Sequence, residues 1–402
     1  MIKILQISNK APFPANDGSS IAIYNMALGL ISNGVELDLL CINTKKHFKP
    51  DEGVDIKFKQ ATNYKSVFVN TDTNLFSAFK NLFSNQSYFV SRFYNDEFNE
   101  ELIKKLKSKT FDIVQIEGIF MCVYIDTIKQ FTNAKIVVRT HNVEHKIWER
   151  HIKTEKNSLK KIYLQIQNNR LCKFELNMLN RVDAAVTISP DDEQTFKQLN
   201  IKCKLFTNTT GVDFSNYQLK NNTQFENNSI FYLASMDWLP NQEAIDWFLE
   251  NCWTNISKQN PLIKLVIAGR NMPTKYKNII NKQVYVLENV IDVNAFYSTY
   301  NILIVPLLSG SGVRIKIIEG MAYGKPIIST TIGAEGINAV NNKEIIIANS
   351  ATDFTNAILS LINDKTKQLE ISENAKSFAL KNFDNKQITN KLLNFYNQLL
   401  NV

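Results

Sequence analysis

The sequence predicts an α/β protein with two domains, each built around a parallel β-sheet. Its 402 residues are more than one ordinary hydrophobic core accommodates. In both halves, short apolar runs alternate with longer segments of helical periodicity, the pattern of successive strand–helix–strand units. Most runs are nearly all apolar, as expected of strands that helices cover on both faces. We therefore expect two Rossmann-like domains whose sheets face a central cleft, with ligands beyond the carboxyl ends of the strands.

Each half of the chain carries six of these strand-like runs. In the first half they are Ile2–Ile7, Glu36–Ile42, Val54–Phe58, Asp112–Glu117, Lys135–Thr140 and Asp183–Ser189. In the second half they are Ser229–Ser235, Ile263–Gly269, Val284–Leu287, Ile302–Leu307, Pro326–Thr330 and Glu344–Ala348.

The domain boundaries follow from the segment between the two halves. Residues 208–225 are polar, rich in Asn and without a clear period, which is typical of a linker. We therefore expect a first domain over 1–207 and a second over 226–384. Residues 385–402 are expected to form an amphipathic helix that can pack on either domain, including back on the first.

Composition narrows the function classes. The net charge of +8, from 46 basic and 38 acidic residues, suits an anionic ligand or an anionic membrane surface, and no nucleic-acid motif appears. The five cysteines are scattered, which disfavours a disulfide framework or a zinc ribbon and fits a reducing cytoplasm. We expect no secretory signal and no membrane-spanning helix, because no apolar run approaches the ~20 residues required.

A phosphate site is predicted where the strand Ile302–Leu307 meets the next helix, which we expect to start near Val313. Glycines let the backbone approach an anion closely, and the free N–H groups of the helix then point at it. Arg314 and Lys316 place positive charge where a helix prefers negative charge, which makes sense when an anion binds there. Predicted donor-binding residues in this segment are Gly310, Ser311, Gly312, Val313 and Glu319.

The stretch Pro306–Gly336 resembles the carboxyl-terminal signature of glycosyltransferase family 4. Its core reads Gly312-x-Arg-x-Lys-x-x-Glu-x-Met-Ala-x-Gly-x-Pro326 and continues into Ser329, Thr330 and Gly333–Gly336. The segments SMDWLPN (235–241), DAAVTISPD (183–191) and NTTGVD (208–213) resemble other parts of that family. The resemblance implies a GT-B fold and a retaining transferase that uses a nucleotide-diphosphate sugar, UDP- or GDP-linked, with Glu319 holding the ribose.

The chain departs from the family pattern at two places. The first of two glutamates that many members carry, usually assigned to the donor sugar, falls at Ser311. The Arg/Lys pair usual after the first donor-domain strand is absent from Ser235–Asn241. We therefore expect Arg314 and Lys316 to carry the diphosphate, with Arg270, at a strand end, as a further candidate that is otherwise an ordinary surface arginine. Backbone contacts near Val290 and Ile291 are expected to choose the base.

In the first half, the resemblance places the loop 9–20 against the donor and the acceptor. Gly18 and Ser19 are donor-binding candidates there, and Asp17 is an acceptor candidate, although an ordinary strand–helix loop has the same composition. His141 follows a buried strand and resembles the family's active-site histidine, which faces the transferred sugar. Asn142 and Glu144 are expected to contact the acceptor, unless Glu144 is only polarity at a helix start.

The segment His141-x-x-Glu144-His145 also matches an inverted zinc-protease pattern. That pattern needs both histidines on one helix, whereas His141 directly follows a strand and no third ligand is evident. We expect no metal at this place.

Residues 74–94 are aromatic and include Phe76, Phe79 and Phe83 at helical spacing. This spacing favours core packing. The alternative is contact with an anionic membrane or a lipid-linked acceptor, which the bases around Trp148 would also suit.

We expect a metal-independent glycosyltransferase that moves a hexosyl or other glycosyl group to a glycan or lipid-linked acceptor in surface polysaccharide biosynthesis. It would work in the cytoplasm, with peripheral membrane contact possible. His141, Arg314 and Lys316 are the catalytic candidates. A non-catalytic nucleotide-sugar-binding subunit is the main alternative, because Ser311 lacks a carboxylate. A nucleotide-sugar epimerase is a further alternative, although its carboxylate set is not evident.

Overall fold

The chain forms two compact units, each with one parallel β-sheet. The computed structural model describes residues 1–15, 18–45, 48, 50–72, 74–217, 226–279, 281–310 and 312–401. The first unit comprises Met1–Gly211 and Asn385–Val402, and the second comprises Val212–Asp384. The predicted fold class, two α/β domains with parallel sheets, is confirmed.

The described strands and helices are numbered here in chain order. The strands are β1 Lys3–Ser8, β2 Glu36–Thr44, β3 Lys65–Val69, β4 Ile113–Glu117, β5 Lys135–Thr140, β6 Ala184–Thr187, β7 Lys204–Thr207, β8 Glu226–Ser235, β9 Lys264–Arg270, β10 Val284–Glu288, β11 Tyr300–Val305, β12 Ile327–Ser329 and β13 Ile346–Ile347. The helices are α1 Gly18–Ser32, α2 Ile56–Ala61, α3 Leu75–Asn81, α4 Tyr88–Ser91, α5 Asp96–Ser108, α6 Ile125–Phe131, α7 Glu144–Thr154, α8 Ser158–Leu179, α9 Pro190–Gln198, α10 Leu239–Phe248, α11 Thr254–Gln259, α12 Thr274–Lys277, α13 Val293–Thr299, α14 Ile315–Ala322, α15 Ala351–Asn363, α16 Lys365–Phe383 and α17 Asn385–Leu400.

In both sheets all strands are parallel, and the order in which the chain adds strands reverses at an inner position. The first unit has the strand order β3-β2-β1-β4-β5-β6-β7, and the second has β10-β9-β8-β11-β12-β13. In each sheet the chain starts near the middle, builds to one edge and then crosses back to build the other. The strands beside this reversal, β1 and β4 in the first unit and β8 and β11 in the second, pair directly with each other. Loops after such strands are where doubly wound proteins bind ligands.

The last helix completes the core of the first unit. Ile388, Leu392 and Tyr396 of α17 are buried in one hydrophobic cluster with Met26 and Leu30 of α1. The two helices approach closely because α1 has a glycine, Gly29, where they meet. A side-chain carbon added at Gly29 would overlap the methyl carbon of Thr389 and lie 2.9 Å from the Asn385 amide nitrogen.

The prediction of a strand over Val54–Phe58 is wrong. Residues from Ile56 onward form α2, and the Asp55 side chain caps this helix by accepting a hydrogen bond of 2.8 Å from the Phe58 backbone N–H. The sequence VDIKF alternates apolar and polar residues, which suits a half-buried strand. Over five residues it equally suits one helical turn, and the cap decides between them.

Two edge strands of the structure, β3 and β7, are not among the strands predicted from the sequence. Strand β3 pairs only with β2, and β7 only with β6, so each covers one margin of the first sheet. Strand β3 alternates buried and exposed side chains over part of its length, and β7 has no fully buried residue. Edge strands need less apolar surface than central ones, so a search for continuous apolar runs passes over them.

No helix within the described ranges is both long enough and apolar enough to cross a bilayer.

We predict that Gly29→Ala destabilises the first unit. In an open helix this change stabilises by up to about 1 kcal/mol. At Gly29 the added methyl meets Thr389 and the Asn385 amide, and overpacking of this kind costs about 1–3 kcal/mol. The unfolding free energy from urea titration should therefore fall. Thr389→Ser, which removes the methyl group and keeps the hydroxyl, should restore part of the loss.

Gly53→Ala is the matched control, because nothing lies within 4 Å of the added carbon. An equal effect of the two alanine substitutions would contradict the tight contact between α1 and α17.

Candidate active site

In the second unit, the predicted phosphate segment connects β11 to α14. The helix begins at Ile315, with Arg314 as the residue before its first turn, slightly later than the start expected near Val313. Gly310 and Gly312 have φ angles of 107° and 83°, in the left-handed region that favours glycine. A side-chain carbon at Gly310 would lie 2.8 Å from both an Arg314 nitrogen and the Trp238 ring. The loop backbone thus passes directly over these two side chains.

Arg314 and Lys316 are each held against an aromatic ring. The Arg314 guanidinium lies 5.3 Å from the ring centroid of Trp238, and the Lys316 ammonium lies 4.8 Å from that of Tyr232. The Lys316 Nζ also donates a 3.0 Å hydrogen bond to Asn241 Oδ1. Ring faces and an amide oxygen attract cations without cancelling their charge. These neutral groups therefore fix both basic side chains at the start of the helix.

Burial shifts the pKa values of Lys316 and Glu319 toward their neutral forms, which shows that burying these charges is unfavourable. Burial, together with the neighbouring Arg314 charge, lowers the pKa of Lys316 to about 7. Burial likewise raises the pKa of Glu319 to about 7, against the opposing effects of the Tyr217 hydrogen bond and the Lys316 charge. Both groups therefore change protonation state near neutral pH, and an arriving anion would favour the charged lysine.

A tyrosine from the predicted linker contacts Glu319. The Tyr217 hydroxyl donates a 3.2 Å hydrogen bond to Glu319 Oε1, and its ring packs edge-on against Tyr323 at 4.9 Å. Tyr323 in turn stacks on Tyr297 at 4.2 Å. The part of the expected linker that holds Tyr217 therefore belongs to the second unit and forms one wall of the site.

Ser329, Thr330 and Gly333, at the end of the family-like segment, pack against the residues that precede the phosphate loop. The Ser329 hydroxyl donates to the Val305 carbonyl at 3.0 Å, and the Thr330 hydroxyl donates to the Leu307 carbonyl at 2.5 Å. Gly333 is packed so closely that a side-chain carbon there would overlap Ser329 Oγ. These residues fix the end of β11, from which the phosphate segment departs.

The remaining donor candidates lie on neighbouring strand ends. Arg270 ends β9, and its guanidinium donates to the Ser235 hydroxyl at 3.4 Å. Val290 and Ile291 lie in the loop after β10, where Ile291 is almost fully exposed. Ser311 lies outside the described residues.

In the first unit, His141 follows β5 and contacts a buried carboxylate. Its Nε2 lies 2.7 Å from Glu117 Oε2, at the end of the neighbouring strand β4. Glu117 also pairs with Arg139 at 3.3 Å, and both of these side chains are fully buried. Because the carboxylate is ionised beside Arg139, Nε2 of His141 carries a proton and donates it. This leaves the other ring nitrogen of His141 for a ligand.

The second oxygen of Glu117 is held by two amides. Gln6 and Gln115 donate to Glu117 Oε1 at 2.8 and 2.5 Å. Gln115 accepts a 2.7 Å hydrogen bond from the Tyr396 hydroxyl of α17. The orientation of His141 thus depends on three strands and the last helix.

The zinc-protease pattern does not assemble. His145 lies on α7 and its Nδ1 is 2.5 Å from Glu175 Oε2 of α8, whereas His141 lies in the preceding loop beside Glu117. Among the described residues, no three His, Cys, Asp or Glu side chains come together in a way that could hold a metal ion.

The acceptor candidates lie beside His141. Asn142 donates a 3.4 Å hydrogen bond to Glu144 Oε1. Burial raises the pKa of Glu144 to about 8, and the Glu175 charge adds to the rise. Gly18 and Ser19 form the exposed start of α1, and Asp17 lies outside the described residues.

Several of these contacts cannot be read from the sequence. Trp238 lies in the segment 235–241, whose resemblance to the family suggests no contact with Arg314. Tyr217 lies in a segment with the composition of a linker. Glu117 ends a predicted strand, and only the adjacency of β4 and β5 brings it to His141. The pairing of strands is not visible in a single sequence.

Glu117 should make the first unit sensitive to acid. Burial raises its pKa, but the Arg139 charge and the His141 hydrogen bond outweigh burial and hold the pKa at about 2, below the ordinary 4.5. A depressed folded-state pKa stabilises above the unfolded value, so this contribution is lost as pH falls from 4.5 toward 2. It amounts to about 3 kcal/mol. Glu117→Gln should flatten the pH dependence of the unfolding free energy there, and lower stability at pH 7 because Arg139 loses its partner.

Urea titrations across this pH range measure the slope. Asp126→Asn, which removes an exposed carboxylate paired with Arg181, is the control and should leave the slope unchanged. Parallel slopes for the parent and Glu117→Gln would contradict a depressed pKa.

Comparison with known proteins supports the resemblance of the second unit to glycosyltransferases. Residues 227–364, all in the second unit, match the family of glycosyl transferases group 1. The chain is also 24% identical, over 96% of its length, to an uncharacterized 44.6 kDa protein in the cps region of Klebsiella pneumoniae, of which 98% is covered.

Solved structures share the fold over its full length. Sucrose-phosphate synthase from Thermosynechococcus elongatus aligns with a TM-score of 0.73 at 15% identity, covering 99% of each chain. Anabaena HepE, solved with UDP and glucose, aligns with a TM-score of 0.66 at 13% identity, covering 98% of this chain and 99% of its own. The second unit thus resembles group 1 glycosyltransferases over residues 227–364, in line with the resemblance of the segment Pro306–Gly336 to family 4, and the whole chain has the GT-B fold.

Proposed function

We propose that this chain is a glycosyltransferase that moves a sugar from a nucleotide-diphosphate sugar to a glycan or lipid-linked acceptor, with retention at the anomeric carbon. The observation that carries the proposal is the pair Arg314 and Lys316 at the start of α14, held on aromatic faces. Two adjacent positive charges at a helix amino terminus are unfavourable on their own. A diphosphate removes the penalty, because it brings the negative charge that both the helix and the side chains attract.

The same pair gives the site its chemistry. When the glycosyl bond to the diphosphate breaks, negative charge builds up on the departing phosphate oxygens. Arg314, Lys316 and the free N–H groups of α14 are oriented before this happens, so they stabilise the developing charge without rearranging. The proposed mechanism assigns this electrostatic role to protein groups and requires no metal ion.

Glu319 is proposed to hold the ribose. Its carboxylate, oriented by the Tyr217 hydroxyl, can accept hydrogen bonds from two adjacent ribose hydroxyls. Arg270 is proposed as a further phosphate ligand, since it ends a neighbouring strand. The base is proposed to lie near Val290 and Ile291.

The first unit is proposed to supply the acceptor side. His141, with its Nε2 bound to Glu117, is proposed to contact a hydroxyl of the transferred sugar through its other ring nitrogen. Asn142 and Glu144 are proposed to bind the acceptor. Gly18 and Ser19, at the exposed start of α1, are proposed to contact the donor.

The proposed pathway is surface polysaccharide biosynthesis. Support comes from the full-length Klebsiella relative, whose name places it in a cps region. The structure of HepE with UDP and glucose makes UDP-sugars the first donors to test, followed by GDP-sugars. The proposed compartment is the cytoplasm, which the five free cysteines suit.

A nucleotide-sugar-binding subunit without catalysis is the second candidate. The specific observation in its favour is Ser311, which stands where many family members have a carboxylate. Hydrolysis of the donor or transfer by the purified chain would exclude it.

We predict that Arg314→Ala and Lys316→Ala each weaken nucleotide-diphosphate binding by about 10- to 100-fold, because each removes a charge-assisted contact. Transfer from the preferred donor should fall further, since the leaving diphosphate is more charged than the bound substrate. Calorimetry with UDP and GDP measures the first effect, and product analysis with radiolabelled donors measures the second.

Lys282→Ala is the matched control, because it removes a lysine of the same unit before β10, at the opposite end of that strand from the donor loops. It should behave like the parent. Near-parental transfer by both site variants would refute the proposed donor site.

We also predict that nucleotide binding takes up a proton. The Lys316 pKa of about 7 means that most of the free protein carries a neutral lysine at pH 8, and a bound diphosphate favours the charged form. Glu319, with a pKa of about 7, is already mostly ionised at pH 8 and contributes little. Calorimetry at pH 8 in buffers of different ionisation enthalpy should therefore give uptake of close to one proton.

Lys316→Arg is the control for this measurement, because arginine stays charged throughout. It should bind without proton uptake. Uptake that persists in this variant would assign the proton to another group.

A further inference from the structure

The helix α3 turns its aromatic face away from the protein. Phe76 and Phe79 of α3, and Phe83 two residues after its end, are exposed by 73, 60 and 83%, so the expectation that they pack in the core is wrong. Periodicity shows which residues share a face of the helix, but it does not show which face points inward. The buried face is marked by the small side chain of Ala78 instead.

This exposure belongs to a helix that is firmly attached. The Arg170 guanidinium of α8 donates to the carbonyls of Asn81 and Leu82, at 3.0 and 2.9 Å. The Tyr88 hydroxyl accepts a 3.0 Å hydrogen bond from the Asn74 backbone N–H at the other end of α3. Both ends of the helix are therefore fixed, and its orientation directs the rings outward.

A second apolar strip lies on α8, the helix whose Arg170 holds the end of α3. On α8, Leu159, Ile162 and Ile166 are exposed by 80, 59 and 38%. They share one helix face with Arg170, which lies one turn after Ile166 and grips the end of α3. We call the two groups together the apolar surface. Its six members are Phe76, Phe79, Phe83, Leu159, Ile162 and Ile166.

The charge around the apolar surface is mainly positive. Residues 74–94 and 156–170 contain six basic side chains and no acidic one, although Glu155, just before them, pairs with Lys160. Lys80 projects from the same side of α3 as the rings, and Lys156 and Lys161 are exposed at the start of α8. Exposed apolar side chains grouped in this way mark an interaction site, and the lysines around them favour a negatively charged partner.

We propose that the apolar surface docks on an anionic lipid bilayer. Exposed phenylalanine and leucine side chains enter the boundary between headgroups and acyl chains, while Lys80 on the side of the rings and exposed lysines near the start of α8 attract anionic headgroups. A protein partner would need a large apolar patch with an acidic rim. A bilayer supplies both features everywhere, which suits a surface formed by two separate helices.

This inference goes beyond sugar transfer and does not depend on it. It rests on the surface of the first unit alone, so the failure of either proposal leaves the other standing. If both hold, the bilayer brings the first unit to acceptors that carry a lipid.

The test is co-sedimentation of the full-length protein with vesicles. Vesicles of equal parts phosphatidylglycerol and phosphatidylcholine should bind it, more weakly as salt rises, and vesicles of phosphatidylcholine alone should bind it poorly. The variant Phe76→Ser/Phe79→Ser/Phe83→Ser should lose at least about tenfold in affinity, because three rings no longer insert. Lys80→Ala, Lys156→Ala and Lys161→Ala should each lose roughly fivefold, and only on the anionic vesicles.

Leu262→Ser/Leu369→Ser is the control, since it removes two side chains of the second unit that are exposed by 75 and 61%. It should bind like the parent. Circular dichroism checks that all variants are folded. The proposal is overturned by absent vesicle binding, by equal binding of the triple variant and the parent, or by self-association that the triple variant abolishes, which would make a second copy the occupant.

Discussion

Two basic side chains lie close together at the amino-terminal end of α14, and the site of the second unit is arranged around that constraint. The helix, the burial and the mutual repulsion of Arg314 and Lys316 all oppose it. The rings of Trp238 and Tyr232 and the amide of Asn241 hold these groups without neutralising them. The Glu319 charge favours the charged form of Lys316, but burial outweighs it and lowers the pKa of Lys316 to about 7. An arriving anion would favour the charged lysine.

In the first unit the buried carboxylate Glu117, in contrast, has charged and hydrogen-bonding partners. It is held by Arg139, His141 and two glutamine amides. A network of this kind fixes one side chain in one orientation, and here that side chain is His141. The second unit therefore holds its basic groups against aromatic rings and an amide, while the first unit uses a compensated carboxylate to orient His141.

The parts of this picture that sequence could predict are those written in consecutive residues. Central strands appear as apolar runs, and the donor segment appears as glycines followed by Arg314, Lys316 and Glu319. The missing parts depend on residues far apart in the chain. Tyr217 reaches Glu319 and Tyr396 reaches Gln115 only through the fold. Periodicity also groups the rings of α3 correctly, but which side faces water depends on how Arg170 anchors the helix.

The return of α17 to the first unit sets an order of events during synthesis. The hydrophobic surface that covers Ile388, Leu392 and Tyr396 is made early, whereas these residues are made only after the whole second unit. At ribosomal speeds the nascent first unit waits roughly ten to thirty seconds for its final helix, while the whole second unit emerges. Throughout that interval Gln115 lacks the Tyr396 hydroxyl, so the network that orients His141 is incomplete. The second unit can thus finish folding before the first, and the network that orients His141 is complete only after α17 has been made.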